Sequence, residues 1–529
     1  MITVHNQQEE THMAIIPYNQ HGNLECREAK KVEIDKILQF DAVEVVPDVG
    51  QARISSRFVL WYKKHSDGSV ITRARLVARG YEEQDAPPSD SPTLDQINLK
   101  LIMVLAQALG MQIISLDIKS AFLQGLPLTE RTVHLIPPPE AEVPKGHLWR
   151  LKVALYGLDD ASLRFHWKVR KVFQTLNMQQ SRYDPAMFYQ TDTKTGRVIG
   201  LVGTHVDDFM LAGDKKWLSE MKKKVAENFT VGTEEAGDYL YCGHRIKQSG
   251  KQLTLDQEEF AAEIKPLVID PGRKKDNSAP VNDKERSQIR SYAGKLGWLG
   301  RTTRPDLLQA QIEASSMVTK ATVGDLKNLA KAVARVGQER SIQVIPKLSA
   351  DINEWGLQLY TDALWQNIDN IGSTGGKVII INSGDKSFPI TWSSNRLKRT
   401  CHSSQQAEIM ALNEGMKDAG YVREMIREVT GVTLTTNILT DNKNVISAVL
   451  ATTAPQDKKV KVELASAREA LRTGEIEGIK HVPGKQGMLA DPLTKKKAVA
   501  TDLLYIIQTG RSLEAGSKPP PEGEEREQQ

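Results

Sequence analysis

The stretch that most constrains this chain is Gly203-Thr204-His205-Val206-Asp207-Asp208-Phe209-Met210-Leu211. Two adjacent aspartates stand between runs at 198–206 and 209–212 whose apolar, β-branched residues read as strands. The nearest turn-formers, Thr195-Gly196 and Gly213-Asp214, lie outside those runs, so the spacing predicts a tight hairpin with the aspartates at its tip. Adjacent carboxylates repel each other, and a bend that holds both needs a cation or a basic partner. A hard divalent cation fits, because it takes oxygen ligands, chiefly carboxylates plus substrate phosphates. Alone, an Asp-Asp pair in a turn is a weak signal and more often means plain solvation, so its meaning depends on the rest of the chain.

Length bounds the answer first: 529 residues predict two to four domains with ample core. Lys and Arg total 70 against 66 acidic residues, a net charge of +4, which excludes a globally basic nucleic-acid binder. Any nucleic-acid surface must come from local clusters. Candidates are Lys63-Lys64 with Arg73, Arg75 and Arg79, then Lys215-Lys216 with Lys222, Lys223 and Lys224, then residues 273–275 and 495–497. Three dispersed cysteines, Cys26, Cys242 and Cys401, suggest a reducing compartment and neither a disulfide framework nor a zinc knuckle. The first ten residues lack a signal-peptide layout, and the most apolar stretch, 101–118, is broken by Gln107, Gly110 and Gln112. The expectation is a soluble, intracellular protein with no membrane partner.

In chain order, residues 1–27 read as poorly ordered and 28–40 as a helix. A hairpin at 58–62 and 70–78, turning at Ser66-Asp67-Gly68, carries Lys63, Arg73 and Arg75. Pro87-Pro88 marks a loop before a helix at 94–107. A strand at 111–118 then brings Asp117 to the start of a turn and short helix, where it is either a helix cap or a functional carboxylate. Helices are expected at 162–176 and 216–229, with one strand at 239–246. The texture turns helical at 285–299, 307–318 and 322–336. A second α/β segment follows, with strands at 357–362, 377–381, 387–392 and 436–439 and a long helix at 403–428. Beyond about residue 510 the chain is rich in Pro, Glu and Gly and reads as disordered.

Four blocks stand in one order: Arg73-Ala74-Arg75-Leu76-Val77-Ala78-Arg79-Gly80-Tyr81, Leu116-Asp117-Ile118-Lys119-Ser120-Ala121-Phe122-Leu123-Gln124-Gly125, Ala154-Leu155-Tyr156-Gly157-Leu158 and Val206-Asp207-Asp208. Together they resemble the reverse transcriptase of copia-type retrotransposons over residues 28–345. The resemblance implies that Asp117 and Asp207 bind two Mg²⁺ ions with Asp208 beside them, Mn²⁺ being a possible substitute. Such chemistry needs carboxylates from separate strands converging on cations about 4 Å apart. It also implies that Arg75, with Arg73 or Lys63, grips the triphosphate, that Phe122 crowds a 2′-hydroxyl, and that Tyr156 and Gly157 line the nucleotide pocket. Two departures from the family pattern stand out. Asp159-Asp160 replace the usual Lys-Gln and would set two negative charges near template or nucleotide. His205 stands where a tyrosine is common.

Farther on, Tyr360-Thr361-Asp362-Ala363, Gln406-Ala407-Glu408, Leu439-Thr440-Asp441-Asn442 and His481-Val482-Pro483-Gly484 through Leu489-Ala490-Asp491 resemble a ribonuclease H of the same element type. Thr303-Arg304-Pro305-Asp306 matches its connecting region. The resemblance implies that Asp362, Glu408, Asp441 and Asp491 hold metals for hydrolysis of RNA in an RNA–DNA hybrid, with His481 assisting product departure.

The fold expected is therefore an α+β right-hand (fingers, palm and thumb) polymerase followed by an α/β ribonuclease H-like domain. Fingers and palm would occupy 28–260, a helical thumb and connection 261–350, the nuclease 355–505 and a disordered tail 510–529. The function implied is an RNA-directed DNA polymerase with hybrid ribonuclease activity. It would act on an RNA template, a DNA primer, RNA–DNA hybrid and deoxynucleoside triphosphates, alongside other retroelement proteins such as integrase and coat. Its setting would be the cytoplasm, including virus-like particles, or the nucleus. With no coat, protease or integrase expected ahead of residue 28, the chain reads as the C-terminal part of a polyprotein or a gene-model fragment. The alternative is a decayed or host-adopted relic that binds nucleic acid without polymerising.

Overall fold

A computed structural model describes residues 15–64, 69–87, 89–365, 372–453, 458–484, 487–495 and 498–513. The expected turn at Ser66-Asp67-Gly68, Pro88 of the expected loop, Lys496-Lys497, and the termini 1–14 and 514–529 lie outside them.

The first half is built on a six-stranded antiparallel sheet. Its order is Val231–Ala236, Gln112–Ile118, Asp208–Gly213, Val198–His205, Met187–Thr191 and Gln179–Gln180. Period-2 alternation explains how the central strand serves two layers. Ile114, Leu116 and Ile118 pack with Phe165, Phe173 and Phe209, whereas Ile113 packs with the helix Gln96–Leu109. That helix starts on the Asp95 side chain, which accepts from Ile97 N–H, and ends on Gly110 in the left-handed region. Every residue from Asn98 to Ala108 is buried, including Lys100.

Lys100 marks a three-way junction. Its ammonium donates to the Thr302 carbonyl at 3.2 Å and lies 4.0 Å from the Trp392 ring centroid. Nearby, Asn98 donates to Asp184 and Tyr421, and Trp392 Nε1–H donates to the Gly300 carbonyl. Burial lowers the Lys100 pKa from 10.5 to about 7. Between those values the unfolded chain binds a proton that the folded one does not, so this group's contribution to stability rises with pH and is lost as pH falls toward 7. Lys100→Met should remove that slope: from pH 7 to 9 the urea midpoint of the unsubstituted chain should rise steadily relative to that of the variant, and parallel profiles would contradict the burial argument.

The first half also holds the hairpin Ser56–Lys64 and Val70–Ala78, a three-stranded sheet of Val43–Pro47, His147–Leu151 and His134–Leu135, and the helix Leu24–Gln39. That helix begins four residues before the expected start, and Ile16 and Cys26 are buried against Leu60. Ile16 N–H also donates to the Leu60 carbonyl, so order reaches back to residue 15 where disorder was expected. At the other end the helix Thr501–Thr509 continues into a bridge from Arg511 to Lys386, so residues 510–513 are likewise ordered.

The strand expected at 239–246 is two strands, Asp238–Tyr241 and His244–Ser249, because Cys242 and Gly243 both take positive φ and reverse the chain. Gln252–Asp256 and then Ile342–Ile345 complete this sheet, returning the chain after the helical stretch to the strands that precede it. Between them lie the helices Asp283–Thr302, Leu308–Met317 and Val323–Ala334. The wholly buried Arg304 ties them down: it pairs with Asp306 and donates to the carbonyls of Arg335, Val336 and Glu339.

A five-stranded sheet forms the last part, ordered Lys386–Arg396, Thr374–Ser383, Gly356–Leu364, Thr436–Thr440 and Ile476–His481. The first three strands are antiparallel and the last two join in parallel, with Ser404–Thr430 packed across the sheet. Among the described residues, no helix is long and apolar enough to cross a membrane.

Candidate active sites

At the open end of the first sheet, Asp208 is the register partner of both His205 and Asp117. The hairpin tip is therefore Val206-Asp207, one residue earlier than expected, with Val206 at φ 56°. A β-branched residue rarely adopts that region, and holding it there costs on the order of 1–3 kcal/mol. Asp207 is clamped through its backbone, whose carbonyl accepts from Ile118 N–H at 2.9 Å. Asp117 is not a helix cap, since Ser120 holds the N-cap position of the short helix Ala121–Gln124. Instead its carboxylate lies over Gly232, where a Cβ would stand only 2.0 Å from Oδ2.

As register partners on antiparallel strands, Asp117 and Asp208 lie on the same face of the sheet, with Asp207 at the tip beside them. Burial pushes the Tyr156 phenol up to about 12, opposed by Arg75, while Glu33, Asp207 and Asp117 add to the shift. Burial and then Asp208, with Asp207 adding to it, hold the Cys242 thiol well above its ordinary range.

Lys63, Arg73 and Arg75 fall on one face of the hairpin Ser56–Lys64 and Val70–Ala78, because Trp61 pairs with Arg73, Val59 with Arg75 and Lys63 with Ile71. The Arg75 guanidinium lies 4.2 Å from the Tyr156 centroid and 5.6 Å from that of Trp61, and Phe122 packs on Tyr156 at 4.9 Å. Trp61, which sequence reasoning assigned no role, joins Arg73, Arg75 and Tyr156 in lining a cleft of about 440 Å³. Gly157, at φ 91°, has no room for a side chain: a Cβ there would meet the Ala78 carbonyl at 2.1 Å. The loop is pinned by Ala78 N–H to the Tyr156 carbonyl and Gly80 N–H to the Gly157 carbonyl. Thus Arg75, Phe122, Tyr156 and Gly157 come together, with the exposed Arg73 and half-buried Lys63 along the same face.

The expectation of two free negative charges at Asp159-Asp160 fails for Asp160. It is buried, receives two hydrogen bonds from Arg131 at 2.7 and 2.9 Å, and one from Arg164 at 2.5 Å. Burial alone would raise its pKa, but the two guanidiniums overcome that and hold it below the usual value. Only Asp159 presents its charge to solvent, so half of the departure that favoured a non-polymerising relic is a structural ion cluster with Arg131 and Arg164. Asp160→Ala would take the shared partner from two arginines, though Arg131 keeps Glu83 and Arg164 keeps Glu130, and should cost about 1–3 kcal/mol in urea unfolding, against about 0.5 kcal/mol or less for Asp159→Ala.

In the second half, Asp362 lies near the end of Gly356–Leu364, Asp441 directly follows Thr436–Thr440, and Asp491 opens the turn Asp491–Leu493. Their carboxylates converge, with one oxygen of each within 4.8 Å of the others. Among the described residues this is the one trio of acids, histidines or cysteines so closely gathered. Glu408, in the second turn of Ser404–Thr430, is buried with Oε2 lacking a hydrogen-bond partner. Burial, then Asp362 and Asp441, push its pKa up to about 8. His481 ends its strand exposed and opposite Thr440, and Gly484 just beyond it approaches Asp441 Oδ2. Two residues not singled out from sequence for this site complete it: Thr494, whose hydroxyl donates to Asp362, and Lys495. The Lys495 ammonium lies 2.8, 3.3 and 3.6 Å from Asp491, Asp362 and Asp441. Its four-residue spacing from Asp491 was the available signal.

Comparison with known proteins agrees with this anatomy. Residues 40–268 match the family described as reverse transcriptase (RNA-dependent DNA polymerase). The chain is 25% identical over 465 residues to a retrovirus-related Pol polyprotein from transposon RE1 of Arabidopsis thaliana, covering 84% of this chain and 30% of that protein. It is 24% identical over 412 residues to the corresponding polyprotein from transposon TNT 1-94 of Nicotiana tabacum, covering 72% and 30%. The chain thus spans about a third of the length of these relatives. A solved foamy viral protease-reverse transcriptase in complex with double-stranded DNA superposes with a TM-score of 0.55 at 14% identity, covering 88% of this chain and 70% of that one. The fold is the right-hand α+β polymerase followed by an α/β ribonuclease H-like domain.

Proposed function

We propose that this chain, which resembles the Pol polyproteins of copia-type retrotransposons, synthesises DNA on RNA and DNA templates and then removes the RNA strand of the hybrid. The observation that carries the reading is the pairing, on one chain, of two acid clusters at the ends of two sheets, one beside an arginine-aromatic cleft.

The donor sets suit hard cations. The unpartnered Glu408 oxygen beside a converging carboxylate trio is an acceptor that a cation would satisfy, and Gly232 leaves Asp117 space at the sheet end. Asp117 and Asp207, with Asp208 adjacent, would hold two divalent ions in the polymerase, and Asp362, Glu408, Asp441 and Asp491 two in the nuclease, Mg²⁺ being the natural choice and Mn²⁺ a substitute. Bound there, such ions supply charge for the attacking and leaving oxygens of phosphoryl transfer. The protein's own groups do the remainder. Arg75, with Lys63 and Arg73 on the same face, binds the triphosphate. Phe122, braced by Tyr156, crowds the sugar 2′ position and selects deoxynucleotides. Gly157 lets its loop close on the fingers, and His481 assists release of the cut strand. RNA template, DNA primer, hybrid and deoxynucleoside triphosphates are the partners, with integrase and coat proteins beside them in cytoplasmic particles or the nucleus.

One preparation given oligo-dT-primed poly-rA and a labelled RNA–DNA hybrid in Mg²⁺ should extend the first and cut the second. Excess chelator should silence both, and Mn²⁺ should restore both. Folded protein inactive in both assays with either ion would defeat the proposal.

A further inference from the structure

Lys495 sits where the nuclease acids converge, and its position has a consequence for how that site loads. The ammonium is within ion-pair distance of three different carboxylates, at 2.8, 3.3 and 3.6 Å. Its backbone N–H also donates to the Asp491 carbonyl, and Thr494 beside it donates its hydroxyl to Asp362 and its backbone N–H to the Asp491 carbonyl. The short turn from Asp491 therefore carries its own cation into the acid cluster. A divalent ion held by Asp362, Asp441 and Asp491 would share its ligands with that ammonium, a like-charge approach. The lysine stem is flexible, and its side chain is 38% exposed, so an outward path exists.

We propose that Lys495 is an exchangeable internal counter-cation: it neutralises Asp362, Asp441 and Asp491 while the site is empty and must swing out when a divalent ion enters. The inference rests on the nuclease reading above and adds a step to it. The carboxylates stay gathered without metal, at the expense of weaker metal binding than the bare acids would give. Removing the lysine should therefore strengthen ion binding while loosening the empty site, a pairing of effects that a purely structural lysine would not produce.

The test uses the full chain carrying Asp117→Asn and Asp207→Asn, so that the polymerase acids contribute little to ion binding. Calorimetric titration with Mn²⁺ should show Lys495→Met binding about tenfold more tightly than this parent, and Lys495→Arg, which keeps the charge, binding like it. Without metal, Lys495→Met should melt lower than the parent and gain more from Mn²⁺. Should the Met variant misfold, acetylation of Lys495 in the parent, followed by mass spectrometry, serves instead, and Mn²⁺ should accelerate it severalfold. Unchanged or weaker Mn²⁺ affinity in a folded Met variant, or labelling indifferent to Mn²⁺ in a chain that binds it, overturns the exchange. If the parent binds no Mn²⁺ that Asp362→Asn reduces, the nuclease reading itself fails and the exchange falls with it.

Discussion

Replacing Asp207 by Asn should reduce primer extension on poly-rA by about 10³-fold or more, while hybrid cleavage by the same preparation stays near the unsubstituted rate. The size follows from what is removed. Asn keeps the shape and one acceptor oxygen but loses the negative charge that a divalent ion at this site needs. The fold should tolerate the change, because Asp207 is held by its backbone carbonyl and is only partly buried at a two-residue tip. Asn is itself a favoured turn residue, so unfolding stability should move by about 0.5 kcal/mol or less. Gel-resolved extension, read beside a melting curve, checks both halves. A variant that melts normally and still extends the primer at the original rate would remove Asp207 from the chemistry.

The same hairpin shows what the sequence made legible. The runs flanking the aspartates gave their strands to within a residue or two, because alternation and β-branching are local properties. The tip went one residue astray for a local reason as well: a valine at positive φ contradicts its own propensity. Pairing of Asp208 with both His205 and Asp117 overrides that preference. At Cys242-Gly243 no Asn-Gly or Asp-Gly marks the reversal, so two strands read as one.

Partners distant in sequence were the harder part. Asp160 was visible as a charge, and Arg164 four residues on was a local signal of a partner, but its two further bonds come from Arg131, 29 residues earlier, which nothing near Asp160 announces. The order of the four nuclease acids pointed, through the resemblance, to one site. Convergence of Asp362, Asp441 and Asp491 required the Thr436–Thr440 strand to pair in parallel with Gly356–Leu364, a long-range contact. Lys495 was read only as part of a basic surface run, because a lysine beside other lysines resembles solvated charge until the acids around it are placed.

Those surroundings make Asp362 the site of the converse substitution. Asp362→Asn should lower hybrid cleavage by about 10³-fold or more while templated synthesis continues. The side chain is almost wholly buried, which ordinarily makes a polar substitution costly. Here the balance differs. Asp362 shares its space with Asp441, Asp491 and Glu408, and its charge helps to push Glu408 up to about 8. Asn retains an acceptor for the Thr494 hydroxyl and removes one of four mutually repelling carboxylates. Against this, Lys495 loses one of its three partners, but it is partly exposed and keeps Asp491 at 2.8 Å. The metal-free variant should therefore melt no lower than the unsubstituted chain, and the stabilisation that Mn²⁺ gives should shrink. Loss of cleavage without loss of stability would identify Asp362 as a charge kept for ion binding at some expense to the fold. Loss of both activities together with a lower melting temperature would show instead that Asp362 is needed for the packing of the nuclease sheet.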